Sequence, residues 1–204
     1  MRVRERVGAG VTAVWFVSDL HIQHAKVAEL RGFDDIDVHD AVLAANWDRV
    51  VRDTDQVWVL GDIVGRRGHE HVGLDWLTAR PGVKHLVSGN HDAVHPMHSQ
   101  AHKVLRVWLE VFETIQSAAT RKVLGHRVRL SHFPFMHDQD GDHTPELRHN
   151  EWRPVDIGGW LLHGHTHSNV QQRGRQLHVG VDAHDLTPVS LKWVEDRISE
   201  GVVE

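Results

Sequence analysis

Short apolar, β-branched runs that stop abruptly in polar residues recur along the first half of the chain. Val11–Val17 runs into Ser18-Asp19-Leu20-His21, Val57–Leu60 into Gly61-Asp62, and Val83–Val87 into Ser88-Gly89-Asn90-His91-Asp92. Between the first two, Ala41, Val42, Ala45, Val50 and Val51 lie on or near one stripe at spacings of three and four, which predicts a helix from about Val38 to Arg52. A second helix is expected over His71–Ala79, ended by the breaker pair Pro81-Gly82. The order β-α-β-α-β predicts parallel strands with crossover helices. Open sheets of this kind bind ligands beyond the carboxyl ends of their strands, where all three polar clusters would lie.

The second half reads as mostly β. Expected strands are Val111–Ile115, Lys122–Leu124, Val128–Leu130, Trp160–Leu162, Leu177–Val181 and Val189–Leu191. Two of them again end in histidine clusters, Ser131-His132-Phe133-Pro134 and His163-Gly164-His165-Thr166-His167. Residues 136–150 are polar and aperiodic and are expected to form a long loop, a kind of segment that often carries function. Ser190 is placed to cap a short terminal helix ending near Ser199.

Composition narrows the picture. The 204 residues suit one domain spanning 1–204, large enough to bury a hydrophobic core. Cysteine is absent, which excludes disulfides and thiolate metal sites. The first ten residues hold Arg2, Arg4 and Arg6 but no long apolar run, so neither a signal peptide nor a membrane span is expected and the cytoplasm is the expected location. A net charge of −5 gives no general attraction to long nucleic acid, so no stable nucleic-acid partner is expected. Histidine, at 20 residues, is in large excess. Most of these are expected to be surface residues; the ones at strand ends carry the chemistry.

Those strand-end residues are Asp19, His21, Asp62, Asn90, His91, Asp92, His132, His165 and His167. Carboxylate, imidazole and amide oxygen suit borderline or hard divalent ions: manganese first, with iron, zinc, cobalt and nickel also fitting. One mononuclear site uses about four protein ligands, so seven candidate ligands imply two metals. On an extended segment residues i and i+2 point the same way, so Asp19 with His21, and His165 with His167, would face a common site. Gly164 would permit close backbone approach. His126 and His137 are chemically equivalent alternatives to His132, and His163 is expected to pack beside the site rather than bind metal. His24, Arg66, Arg67, His95, His98, His137 and His143 are further candidates for touching substrate, and Trp152 for stacking on a base.

Asp19-x-His21, Gly61-Asp62, Gly89-Asn90-His91-Asp92, the lone His132 and Gly164-His165-Thr166-His167 together resemble the ordered motif set of the calcineurin-like metallophosphoesterases. The resemblance implies a four-layer α/β/β/α sandwich with two central mixed β-sheets and the metal site at the strand C-terminal ends. It implies that Asp19, His21 and His167 bind one metal, that Asn90, His132 and His165 bind the other, and that Asp62 bridges them. A hydroxide bridging the metals would attack phosphorus in line. His91 would protonate the leaving oxygen, and Asp92 would hold the His91 imidazole.

Gly61-Asp-Ile-Val-Gly-Arg-Arg-Gly68 departs from the pattern of the protein phosphatases of that family, although Arg66 falls where their phosphate-binding arginine lies. The full Gly-His-x-His is more similar to the small phosphodiesterases, a branch with compact bacterial and bacteriophage enzymes. The expected substrate is therefore a small phosphodiester, a nucleotide and among nucleotides a 2′,3′- or 3′,5′-cyclic one. For a phage protein, the location would be the host cytoplasm. A phosphomonoesterase, protein phosphatase or nuclease of the same family, and a non-catalytic metal-binding scaffold, are the alternatives. Oligomeric state is left open.

Overall fold

The structure, a computed structural model, describes residues 12–65, 68–136 and 148–203. Arg66, Arg67, His137 and His143, most of the expected 136–150 loop and the first eleven residues lie outside the described residues. In chain order the elements are β1 (Val14–Val17), α1 (Ala25–Leu30), α2 (Ile36–Val50), β2 (Gln56–Val59), α3 (Glu70–Thr78), β3 (Val83–Val87), α4 (Ala101–Trp108) and β4 (Thr114–Gln116). Then come β5 (Ala119–Val123), β6 (His126–Leu130), β7 (Trp160–His163), β8 (Gln172–Arg173), β9 (Gln176–His178), β10 (Val189–Ser190) and α5 (Leu191–Glu200).

The strands form two five-stranded sheets, in the orders β10-β1-β2-β3-β4 and β5-β6-β7-β9-β8. Both are mixed. In the first, β1 to β4 run parallel, as the helical connections require, and β10 joins antiparallel at the edge. In the second, β6, β7 and β9 are parallel, while β5 and β8 are antiparallel additions.

Period-two alternation gives the first sheet two apolar faces. Val17, Val57, Val59 and Leu86 meet the helical side chains Leu43, Trp47, Leu74, Leu77 and Trp108. Phe16, Leu60 and Val87 point the other way, against Val128, Leu130, Leu162 and Leu177 of the second sheet. These side chains are almost wholly buried, and each contributes about 1.5–3 kcal/mol on leaving water. On the far side of the second sheet the 133–135 and 153–157 segments close in: Phe135 N–H donates to Gln176 Oε1 at 2.6 Å, and Arg129 donates to Val155 O at 3.2 Å.

Several boundaries differ from the pattern-based expectation. The apolar run expected as a strand at Val111–Ile115 first completes the C-terminal turn of α4, with Val111 and Phe112 donating to Trp108 O, and β4 starts only at Thr114. The run expected at Leu177–Val181 leaves the sheet after His178 and enters a 3-10 turn at Val181–Ala183. α5 is capped as expected, Ser190 Oγ accepting from Trp193 N–H at 3.1 Å. No helix of the described residues is long and apolar enough to cross a membrane.

Candidate metal centre

Five of the expected ligands, Asp19, His21, Asp62, His165 and His167, have left-handed backbones, with φ between 50° and 71°. Such values are uncommon for residues other than glycine, cost of order 1–3 kcal/mol each and cluster at functional sites. They also correct the expectation of extended i, i+2 pairs. These residues lie past the strand ends in turns, each turn held by a neighbouring segment. Asp19 N–H donates to Gly61 O, and His21 N–H to Asp62 O, both at 3.1 Å.

The turns bring the seven expected ligands together in two adjoining groups. Asp19, His21 and His167 each offer one donor atom, all within 4.8 Å of one another, and Asp62, His132 and His165 do the same. His165 and His167 thus face different groups. In the first, His21 Nε2 lies 3.0 Å from His167 Nε2, which is 3.8 Å from Asp19 Oδ1. In the second, His132 Nε2 lies 3.4 Å from Asp62 Oδ2, 3.1 Å from Asn90 Oδ1 and 3.3 Å from His165 Nδ1. Asp62 Oδ2 is also 3.8 Å from His21 Nε2, so this carboxylate touches both groups.

Buried neighbours aim the rings. His132 Nδ1 donates to Leu60 O at 2.7 Å, and a carbonyl only accepts, so Nδ1 keeps its proton and Nε2, facing Asp62 and Asn90, is the nitrogen free to exchange a proton for a cation. His126, the alternative in the same strand, is exposed at the opposite end of β6. Backbone proximity demands two glycines. A Cβ on Gly164 would fall on Ser18 Oγ and lie 2.5 Å from Asp19 Oδ2, and one on Gly89 would crowd Asp62 Oδ1 and lie 2.8 Å from His132 Nδ1.

Electrostatics follow from burial. Asp19, Asp62 and Asp92 are almost fully excluded from water, where an unpaired carboxylate is costly. Burial alone pushes the Asp62 carboxyl up, but His132, His21 and His91 outweigh it and hold it well below the ordinary range. Burial likewise pushes His132 down, and Asp62 reverses this, lifting the imidazole to about 9. At Asp19 burial wins, and its carboxyl is pushed up. Clustered buried acids of this kind attract cations.

Asp92 is not the partner of the His91 ring. Its carboxylate accepts from the backbone N–H groups of Gly89 at 2.7 Å and of Asp62 and Ile63 at 3.1 Å, beneath the site. Those three donors tie the Gly61-Asp62 turn to the Gly89–Asp92 turn and use up the carboxylate. Burial and then the charge of Asp62 lift this carboxyl to about 7, against the pull of the Gly89 and Ile63 amides. The His91 side chain, 39% exposed, lies at the mouth with Nε2 4.0 Å from Asp62 Oδ2. Its backbone N–H donates to Asp62 Oδ1 at 2.9 Å.

Other candidates have structural duties. His95 is buried between Phe133 and Trp152, a burial that pushes its imidazole down to about 4. His98 Nε2 donates to Asn90 O at 2.9 Å, and His24 caps α1 by accepting from Val27 N–H. His163 is buried beside His178, with Nδ1 donating to Gly164 O.

Asp182 and Arg31 carry no motif and were not expected. Asp182 Oδ2 accepts from His167 Nδ1 at 3.0 Å. Arg31 donates to both Asp182 oxygens at 2.8 Å and to Asp19 O at 2.7 Å. Burial would raise the Asp182 carboxyl, but its bonds to Arg31 and His167 hold it far below the ordinary range.

No protein-family model matches the chain. The fold is similar to that of a protein of unknown function from Aquifex aeolicus, with a TM-score of 0.66 and 23% identity over 91% of this chain and 98% of that one. The gene 66 protein of Mycobacterium phage D29 is 46% identical over 93% of this chain and 98% of its own length. That of Mycobacterium phage L5 is 47% identical over 83% of this chain and 86% of its own. At this identity and coverage, the chain belongs to the family of the mycobacteriophage gene 66 proteins.

Proposed function

We propose that this chain is a phosphoesterase of the calcineurin-like metallophosphoesterase kind, dependent on two divalent cations and acting on small nucleotide phosphodiesters, cyclic ones included. The observation that carries the reading is the place of Asp62. One oxygen of its buried carboxylate lies 3.8 Å from His21 of one donor group and 3.4 Å from His132 of the other.

The donors fit such cations. They are carboxylate oxygens, imidazole nitrogens and an amide oxygen with no thiolate, a set suited to manganese first and to iron, zinc, cobalt or nickel. His21 Nδ1 is buried and has no hydrogen-bond partner among the described residues, and the Nε2 atoms of His21 and His167 face each other at 3.0 Å. Two ring nitrogens so close need a proton or a cation between them. On this reading Asp19, His21 and His167 hold one ion, Asn90, His132 and His165 the other, and Asp62 is shared. When bound, the two cations supply Lewis acidity to the phosphoryl oxygens and lower the pKa of water.

The chain's own residues supply the rest. His91, open to solvent and beside Asp62, gives a proton to the leaving oxygen. Asp182 fixes the Nδ1–H of His167, and Leu60 O that of His132, so both rings keep Nε2 toward the cations. Asp92 holds the two motif turns in register. The reading carries with it the four-layer α/β/β/α arrangement, of which α2, α3 and α4 supply one outer layer, and a location in the host cytoplasm.

The test is hydrolysis of bis-p-nitrophenyl phosphate and p-nitrophenyl phosphate by chelator-stripped protein, with and without Mn²⁺, for the wild type and Asp62→Ala. Mn²⁺-dependent diester hydrolysis that disappears in Asp62→Ala is expected. Preference for the monoester would move the substrate to phosphomonoesters. Two bound ions per chain without hydrolysis of either ester would point to a scaffold.

A further inference from the structure

At the opposite end of the second sheet, three arginines line one cavity of about 480 Å³. Arg127 and Arg129 are two apart on β6 and so share a face, and Arg175 comes from the turn before β9. Phe135 and Trp160, each 6% exposed, form apolar wall, and Ile157, 76% exposed, stands at the rim. Among the described residues no acidic side chain lines the cavity. Asp156, next to Ile157 in sequence, spends Oδ1 on the N–H of Gly158 at 2.8 Å. Arg129 donates one bond to Val155 O, while the guanidinium groups of Arg127 and Arg175 meet no ion-pair partner among the described residues.

Three like charges around one hollow repel one another, and they do so on a chain whose net charge is −5. Gathering them gains nothing for the fold; an anion in the hollow reverses the sign of the interaction. Guanidinium forks match phosphate oxygens in shape and charge. The volume falls within the range of small-molecule pockets, roughly 300–1,000 Å³, which is more than an inorganic ion fills. Arg127 and Arg129 stand about 16 and 10 Å along an extended chain from His132, and none of the seven donors lines the cavity, so it is separate from the two donor groups.

We propose that the Arg127–Arg129–Arg175 cavity binds the phosphate groups of a small organic phosphate the size of a nucleoside diphosphate, its organic part lying against Ile157. This site does not depend on the hydrolytic reading.

The experiment is calorimetric titration of ADP into chelator-treated protein, where no divalent cation takes part. Saturable binding that weakens with added salt is expected. Each of Arg127→Ala and Arg175→Ala should weaken it about 10-fold, with the melting temperature unchanged. Pyrophosphate should displace ADP, and adenosine should not. Displacement by adenosine but not pyrophosphate overturns the proposal. So does ADP binding that survives Arg127→Ala/Arg175→Ala, or its absence from the wild type. Hydrolysis is assayed separately with Mn²⁺ restored, so failure of either reading leaves the other standing.

Discussion

Asp182 accepts the Nδ1–H of His167 at 3.0 Å while Arg31 grips both of its oxygens at 2.8 Å. The carboxylate therefore sets the imidazole tautomer, and the guanidinium sets the carboxylate. Arg31 also bonds Asp19 O, so one cation braces two members of the same donor group. Asp182→Asn should weaken the ion held by Asp19, His21 and His167 about 10–100-fold. The ion held by His132 and His165 should stay. Calorimetric titration of Mn²⁺ resolves the two sites; equal weakening of both would show a general loss of structure instead.

His91 stands beside Asp62 with its side chain 39% exposed, and its ring meets that of His21 edge-on at 5.5 Å between centroids. His91→Ala should lower kcat about 10²–10⁴-fold on diesters with alcohol leaving groups. The loss should be much smaller with p-nitrophenolate, which departs without a proton. Metal content should remain at two ions per chain. Equal losses on the two classes of substrate would remove His91 from the role of general acid.

Asp92 clamps backbone, so its replacement should be felt in stability before chemistry. Asp92→Ala strands three buried N–H groups and should cost roughly 3–5 kcal/mol. A fall in melting temperature of roughly 10 °C follows for a chain of this size. Asp92→Asn, which keeps one carbonyl acceptor, should recover part of it. A melting temperature equal to the wild type's would refute the clamp.

Asp55 makes a similar clamp far from the site. It accepts from Ala13 N–H, Trp15 Nε1–H and Arg52 N–H at 2.9–3.1 Å. Burial opposes ionisation, but these bonds outweigh it and hold the carboxyl below its ordinary value. A depressed folded pKa gives stability that is present above the unfolded value, about 3.9, and is lost as pH falls through the folded one. Asp55→Asn should therefore cost about 1–2 kcal/mol at pH 7 and show a shallower loss of stability below pH 4. Parallel acid unfolding curves for the two proteins would contradict this.

A stripe at spacings of three and four read α2, short apolar runs read most strands, the Pro81-Gly82 breaker ended α3 and the Ser190 cap marked α5. It missed α1 and α4, and the reason is physical. α1 is six residues long and buries only Ala28, and α4, although Val104 and Trp108 pack on the core, is eight residues, little more than two turns, so neither is long enough for a spacing of three and four to repeat. The short β8, Gln172–Arg173, has no apolar signature at all. Asp182 and Arg31 stand 151 residues apart, and no local pattern links them.

The sequence alone determined the donor types and their order, since each donor follows an apolar strand and strands in parallel sheets end on one edge. Tertiary structure decided which donors meet. Strand alternation assigns a side chain to a face only while the chain stays extended, and these residues sit past the strand ends in left-handed turns. The direction of each turn is set by a hydrogen bond from another segment, as Gly61 O sets Asp19 and Asp62 O sets His21. That is why His165 and His167 part company, why Asp92 turns down to the backbone, and why Asp182 arrives to hold His167.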